Sequence, residues 1–175
     1  MNILLTSVGR RTYLIKYFQE ALGEKGKIFA SNSVLTHSLK QADGWIITPN
    51  IYSETYVDFL LEYCNTNHIT VIISCFDIDL PVLSAARTRF QMYGISVIVS
   101  SLEVTKICND KWKTYEMLLN LGLDTPKTYC HLSTAKRALK THSICYPLII
   151  KTRWGMGSIG IYQVDNDEEL DILVM

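Results

Sequence analysis

The feature that most narrows the fold is an alternation that repeats from the first residues to about residue 100: a short apolar run, a turn, a helix-spaced stretch, another apolar run. Residues 2–7 (NILLTS) are apolar almost throughout and are followed by turn chemistry at Gly9, the pattern of a strand buried on both faces. Thr12 then opens a helix whose Tyr13, Leu14, Tyr17, Phe18, Ala21 and Leu22 recur at steps of three and four, and Gly23 and Gly26 stop it before the apolar run 28–30. The same unit returns as a strand at 45–48, a helix at 55–64, a strand at 70–75, a helix at 81–93 started by Pro81, and a strand at 96–99. Short connections between alternating elements predict an α/β fold with a parallel, doubly wound sheet and right-handed crossovers.

The texture changes after Ser100. Residues 102–108 read as one short helix, and Asn109-Asp110 caps a second over 111–121 that Gly122 ends. Thr125-Pro126 breaks the chain; a short strand at 128–130, a short helix at 133–139 and two strands at 146–151 and 159–164 follow. Asp167 is expected to cap a last helix carrying the apolar stripe Leu170, Leu173 and Val174. Residues 1–108 thus make one domain. Residues 109–175 make an α+β piece shorter than the ~100–150 residues of a typical domain, so the second domain is expected to be cut short.

Composition excludes several classes of function. Hydrophobic residues are 48% of the chain and charged residues 19%, which rules out disorder. Lys and Arg total 17 and Asp and Glu total 17, so no net charge draws the chain to nucleic acid or to anionic lipid. The longest apolar runs fall far short of the ~20 residues that span a bilayer, and residues 1–8 run into Arg10 and Arg11 without a cleavage-type segment. Five widely spaced cysteines, Cys64, Cys75, Cys108, Cys130 and Cys145, carry no C-x-x-C, and His37, His68, His131 and His142 lack metal-ligand spacing. Reduced thiols in a cytoplasmic protein, with surface histidines, are expected.

The segment richest in chemistry is Pro147-Leu-Ile-Ile-Lys151-Thr-Arg153-Trp-Gly155-Met-Gly157-Ser158-Ile-Gly160. A buried strand ends in two cations and runs into three glycines and a serine, a combination suited to phosphate: glycines let backbone N–H groups approach an anion, Ser158 adds a donor, and Lys151 supplies a point charge. The loop joins strand to strand, so it is neither a Walker motif nor a dinucleotide fingerprint. The turn Ser7-Val8-Gly9-Arg10 also lacks the further glycines of that fingerprint, which disfavours a nicotinamide-binding protein. At the end of the first strand, Arg10 could pair with a substrate carboxylate or phosphate. Asp77 and Asp79 resemble paired acids, but Asp79 before Leu80-Pro81 reads as a helix cap. Trp112, Tyr115, Leu118 and Leu119, at helical spacing, read as core.

Three blocks, MNILLTSVGRRTYLIKYFQEAL, DIDLPVLSAARTRFQMYGISVIVSS and CNDKWKTYEMLLNLGLDTPKTY leading into YPLIIKTRWGMGSIGI, make the sequence resemble the ATP-grasp superfamily, most closely its carbamoyl-phosphate-synthase-like, carboxylate-amine ligase branch. The resemblance implies a Rossmann-like pre-ATP-grasp domain over 1–108, followed by the truncated N-terminal part of an ATP-grasp lid. It makes Lys111 and Lys151 the ATP lysines, Arg153 a further phosphate contact, and Gly155, Gly157, Ser158 and Gly160 a mobile cover over the phosphates. Thr152 stands where the family usually has proline. The implied chemistry is ATP-driven activation of a small carboxylate as an acyl phosphate, then attack by an amine. The family's magnesium ligands are expected beyond this sequence, so activity is not expected from the chain alone. A complementing chain or self-association would cover the cut edge; a non-catalytic module binding a small anion or a protein is the competing expectation.

Overall fold

The computed structural model describes residues 1–155 and 157–174; Met156, inside the glycine-rich loop, and Met175 lie outside the described residues. The chain divides into two compact units, Met1–Thr105 and Lys106–Met175.

In the first unit the apolar runs form five strands, β1 (Asn2–Thr6), β2 (Ile28–Asn32), β3 (Gly44–Ile47), β4 (Ile69–Ser74) and β5 (Ser96–Ile98). They lie in the order β3-β2-β1-β4-β5, and every neighbouring pair is parallel. Side chains on a strand alternate between faces, so the central strand divides its apolar residues between two cores. Leu4 faces one with Phe29 and Ile72, where α2 (Tyr56–Thr66) and α3 (Asp79–Met92) contribute Leu60, Leu83 and Phe90. Ile3 and Leu5 face the other with Ile28 and Ala30, where α1 (Thr12–Leu22) contributes Ile15. Each fully buried Leu or Ile is worth about 1.5–3 kcal/mol, which explains why both faces need helices. The winding reverses between β1 and β4, where a doubly wound sheet opens a crevice at its carboxyl edge.

The second unit contains α5 (Lys111–Asn120), α6 (Leu132–Lys140), an antiparallel pair β6 (Leu148–Lys151) and β7 (Ile161–Val164), and α7 (Asp167–Val174); α4 (Leu102–Cys108) spans the division between the units. Four expectations need correction. Residues 128–130 form no strand; they are β-formers without a partner to complete a ladder. The cap of α7 is Asn166, whose Oδ1 accepts from the Glu169 N–H at 2.9 Å while the Glu169 carboxylate accepts from the Asp165 N–H, a reciprocal capping arrangement one residue earlier than expected. α5 has no buried residue: Trp112, Tyr115 and Leu118 are half-buried and Leu119 is 51% exposed, so the shared face is real but it is not core. The strand expected to be buried ahead of the glycines is β6, which has half-buried Leu148 and Ile150 but exposed Ile149 and Lys151, since among the described residues it pairs only with β7. The apolar stripe expected on α7 is present, with Leu170 buried and Leu173 and Val174 exposed.

Candidate functional site

The glycine-rich hairpin is built on a cap. Asp110 stands before α5 in extended backbone, and its Oδ1 accepts from the N–H groups of Trp112 and Lys113 at 3.0 and 3.2 Å. Arg153 grips the same buried carboxylate in parallel, Nε to Oδ1 at 2.8 Å and Nη2 to Oδ2 at 2.7 Å, and stacks 4.6 Å from the ring centre of Trp154. The guanidinium and the two backbone donors hold the Asp110 carboxyl down to about 2, the Arg153 hydrogen bonds being the largest cause. Lys111 is thereby carried against the loop. Its N–H donates to the Arg153 carbonyl at 3.2 Å, and its ammonium donates to the Gly155 carbonyl at 2.9 Å. The loop turns through left-handed backbone at Gly157, Ser158 and Gly160 (φ 66°, 60° and 71°). A Cβ on Gly160 would also meet the Thr152 methyl at 3.0 Å, so this position requires glycine. Lys151, at the end of β6, is exposed.

A second polar centre lies at the carboxyl edge of the parallel sheet. Asp79, fully buried in the first turn of α3, accepts four hydroxyl hydrogen bonds: Thr6 at 2.5 Å, Ser74 at 3.0 Å, Ser7 at 3.2 Å and Tyr56 at 2.8 Å. Thr6 and Ser74 are register partners at the ends of β1 and β4, so one carboxylate ties two strands to α2 and α3. Burial, reinforced by the Asp79 charge, pushes the Tyr56 phenol well above its ordinary range. The capping role expected for Asp79 is therefore corrected: α3 begins at Asp79, before Pro81, and this carboxylate serves hydroxyls.

Beside it opens a cleft of about 200 Å³, lined by Ser7, Gly9 and Arg11 after β1, Asn32 at the end of β2, Thr48 after β3 and Phe76 after β4. Ser7 and Gly9 both have left-handed backbone (φ 52° and 57°). That turn sends Arg11 to the cleft and leaves Arg10 exposed and outside the lining.

The PylC-like N-terminal domain family matches residues 3–98, more than half of the chain, and an ATP-grasp domain matches residues 108–174. The chain belongs to the ATP-grasp superfamily. It is 24% identical over 120 residues to the arginine-specific carbamoyl phosphate synthase large chain of Bacillus subtilis, a match covering 65% of this chain and 12% of that one. Among solved structures it superposes on the biotin carboxylase domain of Hydrogenobacter thermophilus 2-oxoglutarate carboxylase, crystallised with MgADP, ADP and bicarbonate, at a TM-score of 0.69 and 22% identity. That superposition covers 98% of this chain and 39% of the other. N5-carboxyaminoimidazole synthetase of Staphylococcus aureus gives a TM-score of 0.65 at 15% identity over 98% of this chain and 42% of its own. The chain therefore spans less than half the length of these relatives.

Within the ATP-grasp unit, the structure brings together Lys111, Arg153 and Gly155, and runs Gly157, Ser158 and Gly160 through the same loop. Among the described residues no hydrogen bond or ion pair joins Lys151 to that group, and the Arg153 guanidinium, expected on phosphate, is engaged by Asp110. In the PylC-like domain the sequence reading missed the Asp79 centre and Arg11. The available signal was the set of hydroxyl residues closing apolar strands, Thr6-Ser7 and Ser74, because residues at that edge face the crevice.

Proposed function

We propose that this chain supplies the nucleotide-gripping part of an ATP-dependent ligase that activates a small carboxylate and joins it to an amine. The single observation that carries this reading is the Lys111 ammonium, held 2.9 Å from a carbonyl of the glycine loop and without a carboxylate partner among the described residues. Its charge is thus available to an incoming polyphosphate, and the left-handed loop backbone can present N–H groups to the same anion. Lys151, on the rigid strand that leads into the loop, adds a second point charge, with Ser158 as a hydroxyl donor. Arg153 acts as a positioning residue, because its bidentate bond to Asp110 fixes where the loop leaves β6.

The reaction is that of the superfamily to which the chain belongs. A carboxylate oxygen attacks the γ-phosphorus of ATP, the bond to the bridging oxygen breaks and ADP departs. The amine nitrogen then attacks the acyl carbon, phosphate leaves, and the nitrogen loses a proton. Magnesium does not fit the carboxylate beside this loop, since both oxygens of Asp110 are taken by Arg153 and one also by the two α5 N–H groups. Five free thiols suit a reducing cytoplasm.

Calorimetric titration of the full chain with ATP tests the assignment. Lys111→Ala and Lys151→Ala should each weaken binding by about tenfold, equivalent to ~1.4 kcal/mol. ATP binding that neither substitution changes would overturn the site, and no ATP binding by the folded wild-type chain would favour the non-catalytic module.

A further inference from the structure

We infer that the strand-edge cleft of the PylC-like domain is an oxyanion site, in which Arg11 holds the carboxylate or phosphate group of a small ligand. The inference does not rest on the nucleotide reading, since every residue of the cleft belongs to the first unit.

Several polar groups of the cleft are already engaged. Asn32 accepts from the Gly9 N–H at 3.3 Å and donates to the Val34 carbonyl at 2.9 Å, so its amide shapes the turn and has little left for a ligand. Ser7 is bonded to Asp79, and the buried Asp79 carboxylate is itself engaged by four hydroxyls and does not line the cleft. Arg11 differs. It is half-buried and lines the cleft, yet its guanidinium has no hydrogen bond or ion pair among the described residues, whereas Arg89 is paired with Asp58 and Arg153 with Asp110. Its Nη1 lies 3.5 Å from where a Cβ on Gly9 would stand, an ordinary van der Waals distance, which places the guanidinium over the turn.

A partly desolvated guanidinium without a hydrogen-bonded partner among the described residues is matched best by a planar or tetrahedral oxyanion that takes two of its donors at once. Two further features favour the same sign of ligand. Among the described residues no acid lines the cleft, and α1, of eleven residues, begins next to Arg11 with its positive dipole end toward the carboxyl edge of the sheet. Phe76 and Ile51 provide apolar wall for a carbon body. At about 200 Å³ the cleft lies below the ~300–1,000 Å³ of drug-sized pockets, so the ligand is a small metabolite carrying one such group.

The test is a titration of the full, uniformly 15N-labelled chain by two-dimensional NMR, in the absence of nucleotide, with inorganic phosphate and separately with propionate. Saturable shifts at the amides of Ser7, Gly9 and Asn32 are expected with at least one probe, and which probe gives them separates a phosphate ligand from a carboxylate. Arg11→Met should weaken that binding at least tenfold, Arg11→Lys by a smaller factor because the charge stays and the fork is lost, and Lys111→Ala should leave it unchanged. Should Arg11→Met fail to fold, Arg11→Lys decides alone: binding equal to wild type would refute the assignment. Shifts confined to residues 151–160, no saturable shifts with either probe, or loss with Arg10→Met but not with Arg11→Met would each overturn it.

Discussion

Replacing Tyr56 by Phe tests whether Asp79 holds together the carboxyl edge of the sheet in the PylC-like domain. The ring is almost fully buried at 1% exposure and the substitution keeps it, so no cavity of consequence opens. What disappears is one hydroxyl, which donates to Asp79 Oδ1 at 2.8 Å. The other three donors, from Thr6, Ser7 and Ser74, all point at Oδ2, so Oδ1 loses the partner the structure gives it, in a place water does not reach. A hydrogen bond to a charged group is worth about 1.5–3 kcal/mol, and a cost near 2 kcal/mol in a domain of this size lowers Tm by roughly 10 °C. Thermal unfolding of the full chain by circular dichroism measures the shift, and hydrogen exchange at the amides of Leu4 and Ile72 assigns it to the parallel sheet. Asp79→Asn, which replaces one acceptor oxygen with an amide, should also destabilise. The double variant should cost less than the sum of the two, because both remove the same bond. Unchanged stability in Tyr56→Phe, or strict additivity in the double variant, would show that the phenol merely lies near Asp79 and that the edge is held by apolar packing.

Other outcomes follow from single contacts. The Asp110 carboxyl titrates near 2 in the folded chain against an ordinary value of 3.8, so its stabilising contribution is complete above about pH 4 and is lost as pH falls toward 2. Acid unfolding of the second unit, followed by hydrogen exchange in α5, should therefore begin at higher pH in Arg153→Gln. Cys64 is buried with its thiol pushed up to about 12, whereas Cys108 and Cys145 are exposed; iodoacetamide mass mapping should label the latter pair in the folded chain and Cys64 only after unfolding. A Cβ added at Gly44 would stand 2.6 Å from a Phe29 ring carbon, so Gly44→Ala should cost about 1–3 kcal/mol of stability by denaturant titration.

The parallel sheet and the glycine hairpin were legible because their signals are local. Two-sided burial writes continuous apolar runs, helices write steps of three and four, and the combination of Lys151 with Gly155, Gly157 and Gly160 lies within ten residues of chain. Asp110 was legible as a cap for the same reason, since the N–H groups it accepts from are two and three residues on. Asp79 shows where this reasoning stops. An aspartate before Leu80-Pro81 has the local surroundings of a cap, but its partners Thr6, Ser7 and Tyr56 are 73, 72 and 23 residues away, and only the reversal of winding between β1 and β4 brings them together. The placement of Arg10 is a different case, because Arg11 and not Arg10 lines the cleft. Both follow the same strand, and which of them enters the crevice is set by left-handed backbone at Ser7 and Gly9. A glycine announces that a turn is possible; at Ser7, whose hydroxyl bonds to Asp79, the turn is held by a side-chain contact that no local pattern records. The buried carboxylate thus holds the Ser7 side chain at the turn that leads to Arg11, although it does not itself line the cleft.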